Sequence, residues 1–169
     1  ISTDSSTLTY EEFLKAAEDF VEISDTINDG WELMDDEYSS CPYSVYLQKE
    51  CFLNGGLTYN PLKAEYIVFY NLSYGVPSFS FNIWDSSGEL LTLEDIRHMA
   101  ILRINKKDFY SVITQQEHPL LSRPYFIMHP CHTEALLSIL KDKSKNIIVT
   151  FLGLIVPLLQ IKLSMDYGL

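Results

Sequence analysis

The chain has 169 residues, of which 47% are hydrophobic and 13% aromatic, and carries a formal net charge of −11. This length and composition support one globular domain over residues 1–169 with a sizeable core. Residues 1–40 hold twelve Asp/Glu and one basic residue, Lys15, while the other 129 residues carry eleven of each sign. No basic patch is left to track a phosphate backbone, which argues against nucleic-acid binding.

The first residues, 1 to 8, are polar and expected to be flexible. Thr9 with Glu12 makes a capping box, and Phe13, Ala16, Ala17 and Phe20 recur at helical spacing, so a helix is predicted over about 10–23. Its acidic outer face either is simply solvated or meets a basic partner. Asn28-Asp29-Gly30 marks a turn, a strand starts at Trp31, and the alternation of Tyr43, Val45 and Leu47 predicts a second strand. Asn54-Gly55-Gly56 marks a loop. Tyr66–Tyr70 and Ser78–Trp84 are strong β runs joined by Gly75-Val76-Pro77, which predicts a hairpin.

Asp85-Ser86-Ser87-Gly88 closes the meander, Thr92 caps a helix near 93–98, and Phe109 to Ile113 forms a helical turn. Gln115 to Pro124 reads as an extended loop. Thr133 is expected to cap a helix reaching about Leu140, and Lys141–Lys145 is a polar connector. The very apolar segment Ile147 to Ile161 is about 15 residues, short of the roughly 20 that a spanning helix needs. It reads as a buried helix, ended or kinked at Pro157, and no transmembrane segment is expected. The order predicts an α+β fold in which an antiparallel meander is covered by helices.

Three cysteines without a paired framework suit a reducing compartment. Cys41 and Cys51 lack a motif and read as small buried hydrophobes. Cys131 differs. It follows the apolar run Tyr125-Phe126-Ile127-Met128 and the dipeptide His129-Pro130, and it precedes the helix. A strand ends there, proline fixes the chain, and a thiol is presented at a helix N-terminus, where unpaired amides and the helix dipole favour thiolate. Thiolate is the nucleophile of acyl transfer.

Ile113-Thr114-Gln115-Gln116-Glu117-His118-Pro119, Pro124-Tyr125-Phe126 and His129-Pro130-Cys131-His132-Thr133 together resemble the autophagy-related protein ten group of E2-like conjugating enzymes. These share one broad family with the autophagy-related protein three enzymes. Tyr66 to Pro77, Ser87 to Leu93 and Leu152 to Pro157 fit the same resemblance, which runs from about residue 64 to the end. It implies a reduced ubiquitin-conjugating-enzyme-like fold. It also implies a modifier, autophagy-related protein twelve, accepted as a Cys131 thioester from the activating enzyme autophagy-related protein seven. Delivery to a lysine of autophagy-related protein five follows, without a separate ligase, metal or organic cofactor. A cytoplasmic location, with recruitment to the site of autophagosome assembly, goes with that role.

The chemistry then needs a group that steadies a tetrahedral oxyanion. General ubiquitin-conjugating enzymes use the Asn of an upstream His-Pro-Asn motif; here His-Pro abuts the cysteine instead. Gln115, Gln116 and His118 are the nearest polar candidates and Tyr70 a more distant one, each set against surface solvation or a loop-stabilising hydrogen bond. His129 either holds the loop or moves a proton, and His132 is a residue that would tune the thiolate. Target binding is expected on the central hairpin, through Tyr66, Tyr74, Val76 and Ser78, with Tyr74 and Ser78 facing outward. Two other classes remain: a thiol hydrolase using His118 or His132 as base, and a non-catalytic binding module of the same fold.

Overall fold

In the computed structural model the described residues are 8–54, 61–99, 104–105, 107–159 and 161–168, with backbone alone for 131 and 132. Of the start expected to be flexible, residues 1–7 lie outside them, as does the Gly55-Gly56 loop, whereas Leu8 is fixed instead: it is 6% exposed and its N–H donates to the Gly75 carbonyl at 2.7 Å.

Helix α1 covers Tyr10–Ile27. Its capping box forms as the sequence predicts, the Thr9 side chain accepting from the Glu12 N–H and the Glu12 carboxylate from the Thr9 N–H. Phe13, Ala17, Phe20 and Ser24 are its buried stripe. The helix outlasts its predicted end by a turn because Ser24 is inside it: its hydroxyl accepts from the Trp31 N–H at 3.1 Å, and Asn28, with φ 60°, closes the helix in the left-handed region.

Strands β1 (Glu32–Asp35), β2 (Val45–Asn54), β3 (Pro61–Asn71) and β4 (Val76–Trp84) follow as an antiparallel meander. The hairpin turns at residues 72–75, with Gly75 at φ 63°. Two short helices come next: α2 (Leu93–His98), capped by Thr92, and α3 (Phe109–Val112).

The segment predicted as an extended loop is then a second hairpin. β5 (Ile113–Glu117) pairs with β6 (Pro124–Met128) from Ile113↔Met128 to Glu117↔Pro124. β6 inserts beside β4, and the sheet order is β1-β2-β3-β4-β6-β5.

Helix α4 covers Cys131–Leu140. Thr133 is inside its first turn, not at its cap; Pro130 holds the cap position, and the Thr133 hydroxyl donates to the Pro130 carbonyl at 3.3 Å. After a 3₁₀ turn at Lys141–Lys143, helix α5 runs Ile147–Leu159. Its start is fixed by Asn146, whose side-chain oxygen accepts from the Ile148 N–H at 2.9 Å and whose amide donates to the Ala16 carbonyl of α1 at 2.8 Å. Pro157 does not end α5. It is exposed, as is Gly153 one turn back, and the carbonyl it orphans therefore faces solvent.

The central strands of the sheet are buried on both faces. On one, Tyr66, Val68, Tyr70, Phe79, Phe81, Phe126 and Met128 pack under α1, α4 and α5. On the other, Tyr46, Ile67, Phe69, Tyr125 and Ile127 pack beneath Leu120 of the β5–β6 turn. No helix among the described residues is long and apolar enough to cross a membrane.

Candidate active site

β6 ends at Met128, and α4 begins three residues later with Cys131. The backbone between them is pinned: the His129 N–H donates to the Val112 carbonyl at 2.7 Å, and the Glu134 N–H to the Pro130 carbonyl at 3.0 Å. Residue 131 therefore occupies the first turn of a ten-residue helix, where amides without intrahelical partners point back along the axis. The side chains of Cys131 and His132 lie outside the described residues.

His129 is exposed, and its ring meets the Tyr74 ring edge-on at 6.1 Å between centroids. Tyr74, half-buried, thereby brings the central hairpin to the β6–α4 turn. His129, Pro130 and Thr133 border a cleft of about 280 Å³ whose far walls come from β4 and α5.

The other candidates disperse. His118 is on the sheet face opposite α4 and is 1% exposed. Its Nε2 lies 3.0 Å from the Ser80 hydroxyl, and its Nδ1 accepts from the Leu120 N–H at 3.1 Å. The Phe69 and Tyr125 rings flank it, and burial, with Arg123 nearby, pushes its pKa down to about 4. A neutral imidazole with both nitrogens engaged holds the hairpin turn, and the hydrogen-bond alternative is the one realised.

Gln115 and Gln116 are strand residues of β5, both exposed. Gln115 pairs with Phe126 on the helix-bearing face, whereas Gln116 pairs with Tyr125 and points to the other face. Only Gln115 thus shares a face with α4. Tyr70 is 8% exposed and its hydroxyl donates to the Leu8 carbonyl at 2.7 Å, among the rings of Tyr10, Phe13 and Tyr43. Its polar atom anchors the entry to α1.

Of the four hairpin residues, only Tyr74 keeps appreciable exposure. Tyr66, Val76 and Ser78 are buried at 4%, 3% and 1%. Ser78 faces Phe69 across the β3–β4 pair and does not face outward as predicted, because both faces of the central strands are covered. Between Tyr66 and Trp84 the exposed part of this hairpin is its tip, where Leu72 is 60% exposed.

Cys41 and Cys51 are both half-buried, and burial raises the Cys51 thiol pKa. A thiol so shifted is a poorer nucleophile than one at a helix N-terminus. The described residues contain no cluster of His, Cys, Asp or Glu able to hold a metal ion. Leu136, Leu154 and Leu158, which line the cleft, carried no sequence signal apart from an apolar helix pattern.

An antiparallel sheet backed on one face by helices, with a cysteine opening the helix after its inserted strand, defines an E2-like α+β protein. The family model described as autophagocytosis associated protein, active-site domain, matches residues 12–164, and the chain belongs to that family. It is 36% identical over 116 residues to the human ubiquitin-like-conjugating enzyme ATG10, covering 63% of this chain and 53% of that protein. It is also 36% identical over 88 residues to ATG10 of Arabidopsis thaliana, covering 48% and 38%. The chain thus spans about half the length, or less, of these two curated relatives. A solution structure of KmAtg10 superposes with a TM-score of 0.53 at 17% identity, covering 90% of this chain and 95% of that one.

Proposed function

We propose that this chain is an E2-like conjugating enzyme of autophagy, carrying a ubiquitin-like modifier as a thioester on Cys131 and passing it to a lysine of a target protein. The observation that carries this reading is the position of Cys131 at the first residue of α4, directly after β6, within the family match. Loading is a thiol exchange. The Cys131 thiolate attacks the thioester carbonyl on the activating enzyme, whose sulfur leaves. In delivery the target amine attacks the new thioester, Cys131 leaves as thiolate, and the amine's extra proton passes to a base or to water.

The resemblance to ATG10 supports autophagy-related protein twelve as modifier, autophagy-related protein five as target and autophagy-related protein seven as activating enzyme. Work at the site of autophagosome assembly in the cytoplasm goes with this assignment. We assign target contact to the tip of the β3–β4 hairpin, where Leu72 and Tyr74 are accessible, and Gln115 is the β5 candidate for steadying the oxyanion. A thiol hydrolase loses its His118 base, since that imidazole is buried across the sheet with both nitrogens engaged.

The test is discharge of the loaded chain in a single turnover. Added target protein should consume the thioester with formation of an isopeptide-linked product. Buffer alone should leave it largely intact. Rapid loss in buffer at the same rate as with target is the hydrolase result and contradicts the proposal.

A further inference from the structure

A target lysine arrives as an ammonium, since its ordinary pKa is about 10.4. Its nitrogen must come within about 3–3.5 Å of the carbonyl it attacks. The first turn of α4 has two flanks, and they differ in charge.

On one flank Pro130, Thr133 and Leu136 border the cleft between the helices and the sheet. Met128, Leu154 and Leu158 also line it, and no carboxylate is among the lining residues. An ammonium entering there leaves water without compensation. On the other flank stand Glu134, Leu137 and Lys141, whose spacing places them on one stripe of the helix. Leu137 and Lys141 lie against Leu8, Gly75 and Val76. This stripe therefore faces the tip of the β3–β4 hairpin, the end assigned to the target.

Glu134 is the acidic residue of the first turn. Its backbone is fixed by the bond from its N–H to the Pro130 carbonyl at 3.0 Å. It is half-buried, and no ion pair among the described residues uses its carboxylate. Lys141, the cation of the same stripe, is about 10 Å further along the axis and meets Glu12 at 3.4 Å. Residues three apart on a helix are surface neighbours, about 5–6 Å between Cβ atoms. Helical side chains lean toward the N-terminus, so the Glu134 carboxylate reaches back over the turn that residue 131 opens.

We propose that Glu134 binds the ammonium of the incoming target lysine and holds it beside the Cys131 thioester. The inference rests on the conjugating-enzyme reading. The ammonium yields one proton to water, and the amine attacks the thioester carbonyl. A carbon–nitrogen bond forms, the nitrogen yields a second proton to water, and the carbon–sulfur bond breaks with Cys131 leaving as thiolate. Nothing is oxidised. In the unloaded chain the same carboxylate acts the other way, because its charge disfavours a thiolate at residue 131.

The experiment loads the chain with modifier by the activating enzyme and ATP, exhausts the ATP, and follows thioester loss with two small nucleophiles. Near neutral pH n-butylamine is cationic, as lysine is, and hydroxylamine is uncharged. In Glu134→Gln the ratio of the butylamine rate to the hydroxylamine rate should fall at least about threefold, through KM for the amine. In Glu134→Lys it should fall further. Iodoacetamide should alkylate Cys131 of the unloaded chain faster in Glu134→Gln than in the native protein, as mass spectrometry of its peptide reads.

A ratio kept in both variants overturns the inference. So does a parallel fall with both nucleophiles, which makes Glu134 a support of the helix alone. An unchanged alkylation rate does the same, since it places the carboxylate out of reach of residue 131. In each of these cases a native chain that loads and discharges leaves the conjugating reading standing. If the native chain forms no thioester, that reading fails too.

Discussion

At the scale of single residues, His118 shows what the fold does to a group that looks reactive in the sequence. Its folded pKa is depressed to about 4 from an ordinary 6.5 by burial. Well above the unfolded value the ring is neutral in both the folded and the unfolded chain, so it contributes nothing to pH dependence there. Between about pH 6.5 and pH 4 the unfolded chain takes a proton that the folded chain refuses, and stability falls as pH falls. From about pH 7 to pH 5 the loss should be about 2 kcal/mol by urea unfolding, and His118→Asn should remove most of that difference. An equal loss in the variant refutes the assignment. Cys131 was legible because strand, proline and helix stand consecutively in the chain. The role of His118 was not, because its partners Ser80 and Phe69 come from strands far away in sequence. For the same reason Ser78 looked outward in an alternating strand: only the β5–β6 turn, folding over the second face, tells that both faces are covered.

At the scale of elements, α5 is structural and α4 is its cover. Leu152 is 1% exposed under the sheet's helix layer. Leu152→Asp should cost at least about 3 kcal/mol by placing an unpaired charge in the core. Ile139, 67% exposed on α4, is the control: Ile139→Asp should cost less than about 1 kcal/mol. Similar losses in the two variants contradict this packing. The hairpin tip is assigned to the target, so Leu72→Glu should leave Cys131 loading intact and slow delivery to the target lysine severalfold in a discharge assay. A parallel loss of both steps removes the target from this tip. Helices with caps and apolar stripes were readable in the chain, since Thr9, Glu12 and Thr92 act locally. β5 was not, because Thr114-Gln115-Gln116-Glu117 has no apolar alternation and is a strand only through its pairing with β6.

At the scale of the whole molecule, the ends are tied across the fold. Asp29, after α1, meets Lys49 of β2 at 2.8 Å and accepts from the Tyr167 hydroxyl at 2.6 Å, while the Tyr167 ring stacks on Phe20 at 4.5 Å. Asp29→Ala leaves a largely buried ammonium and a phenol without their partner, and should cost about 2 kcal/mol in thermal or urea unfolding. A change within about 0.5 kcal/mol argues that this clamp contributes nothing. The α+β class was legible from element order, whereas the insertion of β6 between β4 and β5 depends on contacts that no local pattern encodes. That insertion sets where in the sheet the β6–α4 turn before Cys131 emerges, and the central claim is that this thiol alone accepts the modifier. The direct measurement is a non-reducing gel of the chain after incubation with activating enzyme, ATP and modifier. A shifted band that vanishes with thiol reductant should form in the native chain, in Cys41→Ser and in Cys51→Ser. In Cys131→Ser it should be absent or replaced by a reductant-resistant oxyester. A reductant-sensitive band that survives in Cys131→Ser contradicts the account.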